Sequence, residues 1–354
     1  MAPPDPYFTV PFTLDQGWES VLRSTLEYQF HNLCWNKEPN TILTRAQLIP
    51  YIPDLDDTAP NTPGTFQTFP APITESLENA LLRQEYIHLY EWLCDFDFQG
   101  SPRRQANVIT GHPGIGKTIF RIFILYKRCL AGKPTLYLDS LEHRLFLFYE
   151  GGVASISSTA ITRSSIERFQ KDTWLLIDGA MKEVNPLTLT LPKKNHPRII
   201  FTTSPFCESI WKMWDQVNIA EIIAYMKGWT DDEFRSGCAL HKVTWDTFYA
   251  RRHDIGPIPR YLFEDIEARV QARVASVDRA VESLSNEQLR RIIMDQALSP
   301  TTEAPDFPYH ILFMNRVDSN PLAPPVNSLL SERVGTALRR RLLKMGRTER
   351  ASVI

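Results

Sequence analysis

The sequence predicts an α/β fold: a mostly parallel β-sheet flanked by helices, followed by a helical region and preceded by a helical and loop extension. Three observations point there. Short apolar runs at 106–110 (A-N-V-I-T), 135–139 (T-L-Y-L-D), 174–178 (W-L-L-I-D) and 198–203 (R-I-I-F-T-T) have the composition of strands buried on both faces. Between the first two, residues 118–130 read as a helix stopped by Gly132 and Pro134. Hydrophobic residues make up 43% of the 354, enough for one large domain or two modest ones with real cores.

The elements follow in order. Around 14–35, Trp18, Leu22, Leu26, Phe30 and Leu33 stand near helical spacing and predict an amphipathic helix in an accessory layer. Prolines and glycine at 53–72 (Pro53, Pro60, Pro63, Gly64, Pro70, Pro72) predict an extended linker instead of a packed element. A second helix is expected over 74–97, with Leu77, Leu81, Tyr86, Leu89 and Leu93 on one stripe. Leu145–Tyr149 and Val153–Ile156 flank Glu150-Gly151-Gly152, whose glycine pair suits a hairpin turn. Residues 217–221 are a further strand candidate.

Beyond Trp229 the pattern turns helical: Thr230 and Glu233 have capping-box spacing, and apolar positions continue to about residue 297. Stretches 300–308 and 321–325 read as loops, and 329–345 as a closing amphipathic helix. The expected division is 1–73 as accessory segment and linker, 74–228 as α/β core, and 229–354 as helical lid and C-terminal helices.

Bulk charge excludes a global field for nucleic acid or an anionic membrane, because 39 Lys plus Arg face 41 Asp plus Glu. The five cysteines form no C-x-x-C pair, which argues against a disulfide framework or zinc ribbon and for buried free thiols. No signal-peptide pattern and no run of about 18 apolar residues is visible, so the expected compartment is cytoplasmic or nuclear, without membrane contact.

One motif carries chemistry. Gly111-His112-Pro113-Gly114-Ile115-Gly116-Lys117-Thr118 fits G-x-x-x-x-G-K-[ST], four fixed positions in eight, a match that chance supplies in about one chain in a hundred of this length. A strand-type run ends just before it and a helix begins at its close. The pattern is the Walker A P-loop: its glycines let successive N–H groups curl around phosphates, the helix adds its positive N-terminal end, Lys117 neutralises the β- and γ-phosphates, and the Thr118 hydroxyl is a ligand for Mg²⁺. Asp178, ending its strand about sixty residues on, is the expected magnesium-side carboxylate. Weaker candidates are Thr202-Thr203-Ser204, a hydroxyl of which could touch the γ-phosphate or the attacking water, and Gly256-Pro257-Ile258-Pro259-Arg260, whose Arg260 could reach back to the phosphates from the helical part. The position after Asp178, where hydrolytic enzymes of the extra-strand type have Glu, is Gly179; Glu183, Glu150 and Asp139 are substitutes between which sequence does not choose.

These residues, with Trp229-Thr230 and Asp232-Glu233, make the chain resemble the P-loop NTPase module of Crinkler and retrotransposon-hot-spot type proteins, many of them fungal, over roughly residues 80–350. The resemblance implies a relative of AAA+ and STAND ATPases with a helical lid after the sheet. It also implies Lys117 and Thr118 as phosphate and magnesium residues, Asp178 as magnesium-side carboxylate, Ser204 as first sensor and Arg260 as second sensor. The expected ligands are ATP and Mg²⁺; no N-K-x-D signature for guanine is present.

Three functions remain open on sequence: an ATPase or ATP-driven switch, a nucleotide-holding module that binds a protein partner or itself without turnover, and a small-molecule kinase. The last is disfavoured because residues 152–169, where an arginine-rich lid would fall, hold only Arg163 and Arg168. Arg339-Arg340-Arg341, Lys344, Arg347 and Arg350 offer positive charge to nucleic acid, yet Leu330, Val334, Leu338, Leu342 and Met345 form an apolar stripe there, so a docked helix with a solvated basic face is preferred. Trp211, Trp214 and Trp229 read as core residues before base-stacking ones.

Overall fold

The computed structural model describes residue 14 and residues 17–38, 44–47, 65–72, 78–95, 104–139, 143–162, 165–166, 168–169, 172–179, 197–204, 219–294 and 309–346. The chain divides into two compact units: one drawn from Met1–Arg45, Gln67–Thr110 and Lys117–Ala224, the other from Ala46–Phe66, Gly111–Gly116 and Tyr225–Ile354.

The first unit begins differently from expectation. Glu19–Ser20 is a short edge strand (β1), and the helix (α1) covers only Leu26–Cys34. Thr25 accepts a hydrogen bond from the Tyr28 amide and caps α1, which fixes its start well after residue 14. Trp18 and Phe30 are buried, but Leu22, Leu26 and Leu33 are exposed, so the regular spacing of apolar residues did not mark one helical face.

The stretch read as a linker contains structure as well. After strand β2 (Thr44–Gln47), strand β3 (Thr65–Pro70) pairs antiparallel with β4 (Asn79–Leu81). Phe69 is fully buried there, its ring 5.3 Å from Phe123 and 5.5 Å from Tyr126, which outweighs the local preference of proline for extended coil. The second helix (α2) is accordingly shorter than expected, Gln84–Asp95, and buries Tyr86, Leu89 and Leu93.

Strand β5 (Arg104–Thr110) leads through the loop 111–116 into helix α3 (Lys117–Leu130), then β6 (Thr135–Asp139), β7 (Arg144–Tyr149), β8 (Gly152–Ser157), β9 (Trp174–Asp178), β10 (Arg198–Thr202) and β11 (Ile219–Tyr225). These strands and β1 form one eight-stranded sheet in the order β1-β8-β7-β6-β9-β10-β5-β11. Its centre is parallel, since β9 pairs with β6 and β10 pairs with both β9 and β5 in that sense. The β7–β8 hairpin turns at Gly151-Gly152 and adds antiparallel strands on one side. The nearly unbroken burial of β6, β9 and β10 explains their apolar composition, because both faces are covered.

Parallel pairing decides the placement of everything functional. The carboxyl ends of β5, β6, β9 and β10 lie at one end of the sheet, so Thr110, Asp139, Asp178 and Thr202 share that end. Because β7 runs against β6, with Thr135 opposite Phe148, the turn holding Glu150 lies at the other end.

In the second unit, helices α4 (Asp231–His241), α5 (Trp245–Ile255), α6 (Pro259–Leu262), α7 (Glu267–Ser283) and α8 (Asn286–Met294) follow the sheet. The Thr230/Glu233 capping box forms as expected. A hairpin of β12 (Leu312–Asn315) and β13 (Val326–Leu329) was not anticipated, the sequence showing only its proline-rich connection. Helix α9 (Glu332–Lys344) docks through buried Val334 and Leu338. Arg341 donates to the carbonyls of Val281, Glu282 and Leu284 at the end of α7, a helix-capping role, while Arg339 and Arg340 are exposed. Residues 300–308, Arg347 and Arg350 lie outside the described residues, as do Cys207, Trp211 and Trp214.

Among the described residues no helix is long and apolar enough to cross a membrane. Cys34, Cys129 and Cys238 are buried and Cys94 is exposed, all as free thiols.

Candidate functional site

The loop between β5 and α3 begins from a fixed base. Thr203 donates its amide to the Ile109 carbonyl at 3.0 Å, so β5 is held by β10 up to the residue before Thr110. The loop then needs backbone angles that side chains resist: φ is +87° at Gly114 and +109° at Gly116. A Cβ on Gly114 would stand 2.8 Å from Ile258 Cγ2 and 3.2 Å from Arg260 Cβ. Gly114 is therefore required both by torsion and by close approach, and Gly116 by torsion.

Further contacts hold the loop within its unit. The Trp229 indole donates to the Ile115 carbonyl at 2.9 Å, and the Arg260 amide donates to the Gly114 carbonyl at 3.3 Å. His112 is buried, its Nδ1 accepting from the Met314 amide at 3.4 Å and its ring 4.8 Å from Phe313. Pro113 is half-buried and Ile115 fully buried. Trp229 also packs on Phe234 and Phe263, so its reading as a core residue holds, with a polar link to the loop that sequence did not suggest.

At the start of α3, Lys117 is largely buried and Thr118 half-buried. The Thr118 hydroxyl donates to Asp178 Oδ2 at 3.3 Å, joining two residues sixty positions apart. A hydroxyl that gives its proton to a carboxylate keeps lone pairs for a hard cation, and the pair supplies the oxygen donors that Mg²⁺ takes. No cluster of three or more His, Cys, Asp or Glu able to hold a metal occurs among the described residues.

Asp178 has a neighbour that the sequence reading missed. Arg121, one turn along α3, approaches Asp178 Oδ2 to 3.5 Å and is itself 3% exposed. Its guanidinium donates to the Tyr137 hydroxyl at 2.9 Å and the Leu138 carbonyl at 3.2 Å, and lies 4.5 Å over the Tyr137 ring. Burial pushes the Tyr137 hydroxyl above the usual tyrosine range against the pull of Arg121, with Asp139 and Asp178 adding to the rise, so it stays neutral. The missed signal was local: an arginine amid Phe120, Ile122, Phe123, Ile124 and Leu125 must find a buried partner.

The remaining candidates are unequal. Thr203 is buried while Ser204, the expected first sensor, is exposed. Arg260 is exposed and anchors the loop through its backbone. Gly179 has a steric reason: a Cβ there would meet Thr203 Cβ and Oγ1 at 2.5 Å and Phe201 Cε1 at 2.8 Å. Of the substitute carboxylates, Asp139 shares the sheet end of Asp178, Glu150 stands at the opposite end, and Glu183 lies outside the described residues. Arg168 is buried, and Arg163 also lies outside them.

Fold and site together define an α/β protein with a glycine-rich loop between a central parallel strand and a helix. In comparisons with known proteins, 170 residues are 25% identical to Crinkler effector protein 15 and 24% identical to Crinkler effector protein 16, both of Phytophthora infestans. Each match spans 48% of this chain and 26% of the relative, so the likeness concerns about a quarter of those proteins. It supports a Crinkler-like relationship; both relatives are from an oomycete, and the expected fungal connection finds no support in them. No family model matches.

Proposed function

We propose that this chain binds a purine nucleoside triphosphate, ATP with Mg²⁺, on Gly111–Thr118, and works as an ATP-driven switch reset by hydrolysis. The observation that carries this reading is the 3.3 Å hydrogen bond from Thr118 to Asp178, which joins the hydroxyl and the carboxylate that a phosphate-bound magnesium requires.

Three further features support it. The loop runs from a central parallel strand into a helix N-terminus, where amide groups and the helix dipole favour anions. One strand, β10, separates the loop strand from the Asp178 strand, the order of the extra-strand class of P-loop NTPases. Lys117 opens the helix, in position to neutralise phosphate charge. The Trp229 and Arg260 contacts tie the loop to the helices of its own unit, which a nucleotide-dependent loop movement would pull on. ATP supplies a phosphoryl group as electrophile; the chain's part is to position phosphates and metal and to exclude competing geometry.

A second reading has its own observation. Packing of Thr203 and Phe201 against Gly179 closes the position from which a glutamate usually activates water, which favours a module that holds nucleotide without turnover and meets a partner. The likeness to effector proteins suits a partner-binding role of this kind.

Calorimetric titration with ATP and GTP, with and without Mg²⁺, on wild type, Lys117→Ala and Asp178→Ala tests the binding reading. Mg²⁺-dependent ATP binding lost in both variants is expected, and absence of heat with any nucleoside triphosphate on folded wild-type protein would sink it. Phosphate release above the Lys117→Ala background separates the switch from the holding module.

A further inference from the structure

Ten of the thirteen other residues of α3 are buried, and among them the helix places the Arg121 guanidinium at 3% exposure. Such burial is costly unless every contact is well made. The fork is divided between two strands and one carboxylate: Nη2 reaches the Tyr137 hydroxyl at 2.9 Å and Asp178 Oδ2 at 3.5 Å, and Nη1 reaches the Leu138 carbonyl at 3.2 Å. Tyr137 and Leu138 belong to β6 and Asp178 to the end of β9, so one side chain of α3 ties the tips of two neighbouring strands.

We propose that Arg121 is the positioning residue of the metal-side carboxylate: held on Tyr137 and Leu138, it fixes the rotamer of Asp178 so that Oδ2 faces Thr118 and the carboxylate meets the phosphate-bound cation already oriented. This rests on the nucleotide reading above and deepens it by naming what sets the metal dependence of the site. Two effects of the guanidinium oppose each other. Its charge weakens the attraction of Asp178 for a cation, whereas its ion pair with Oδ2, anchored by the hydrogen bonds to Tyr137 and Leu138, removes entropy of orienting the carboxylate. Asp178 Oδ2 already accepts from the Thr118 hydroxyl, and both approaches converge on the same oxygen, so orientation is the property the geometry serves. Loss of a partner that orients a metal-binding carboxylate typically lowers metal affinity about 10- to 100-fold.

The test is the ratio of ATP affinity in saturating Mg²⁺ to that in EDTA, measured with a fluorescent ATP analogue on the full chain. Arg121→Lys keeps the positive charge and loses the planar fork. The expected result is a fall of that ratio by about tenfold with the EDTA affinity unchanged. A purely structural arginine would lower both affinities together or neither, and that outcome, or a ratio equal to or above wild type, overturns the proposal. Tyr137→Phe keeps the ring under the guanidinium and deletes only the 2.9 Å acceptor, so it folds if Arg121→Lys does not; a fall of about threefold in the same ratio is expected, and no change overturns the proposal. Wild-type ATP binding that is indifferent to Mg²⁺ would defeat the nucleotide reading itself, a result distinct from a normal wild-type response with unresponsive variants.

Discussion

Thr118 and Asp178, sixty residues apart, meet at 3.3 Å through the hydroxyl of one and Oδ2 of the other. The contact exists because α3 begins beside the carboxyl ends of parallel strands, where β9 delivers Asp178. Thr118→Ala should lower ATP affinity in Mg²⁺ by at least tenfold while leaving binding in EDTA nearly unchanged, and Thr118→Ser should restore most of the loss; isothermal calorimetry measures both. Equal loss with and without metal would mean that the hydroxyl serves the loop and not a cation.

Gly179→Glu is expected to fail as a route to an ATPase. The first side-chain atom would fall 2.5 Å from Thr203, whose branched side chain cannot swing aside, so the variant should lose about 1–3 kcal/mol of stability in denaturant unfolding. Phosphate release should not rise. A stable variant with faster release would show that Thr203 yields and that the carboxylate reaches water.

Gly114→Ala should abolish ATP binding without unfolding the chain. Its φ of +87° strains any L side chain, and the new methyl would press on Ile258 and Arg260. Retained affinity, with unchanged circular dichroism, would mean that the loop does not contact phosphate in this conformation.

If phosphate release is measurable, Asp139→Asn should reduce it about a hundredfold and Glu150→Gln should not. Of these two, Asp139 shares the strand end of Asp178, since the antiparallel β7 carries Glu150 to the far end. The reverse pattern in steady-state assays would overturn the assignment.

Acid should weaken the second unit. Burial, and then the Arg273 guanidinium, lower the His310 imidazole from 6.5 to about 4. The unfolded chain therefore takes up this proton first as pH falls, and stability present above pH 6.5 is lost progressively down to about pH 4. His241, lowered mainly by burial, pushes in the same direction, and His31 does the same for the first unit. Urea midpoints between pH 7 and 4 should fall less steeply for His310→Gln than for wild type, and parallel curves would contradict this.

The N-terminal region shows where local pattern misleads. Trp18, Leu22, Leu26, Phe30 and Leu33 suggest one helical stripe, but a strand at Glu19–Ser20 and the Thr25 cap interrupt it, and only Trp18 and Phe30 find the core. Proline content likewise concealed β3, whose place depends on Phe69 packing against residues of α3 more than fifty positions away. By contrast, Trp174–Asp178 and Thr135–Asp139 were legible residue for residue, because a strand buried on both faces must be apolar along its whole length.

Sequence alone determined the α/β class, the glycine-rich loop between strand and helix, and Thr118 and Asp178 each as a candidate, since these depend on residue type within a local pattern. Tertiary structure decided the rest. Strand order and direction set which carboxylate stands near Asp178, packing by Thr203 made glycine necessary at 179, and the fold of α3 against β6 and β9 gave Arg121 its partners. Such relations join residues distant in the chain, and no local propensity encodes which distant side chain will arrive.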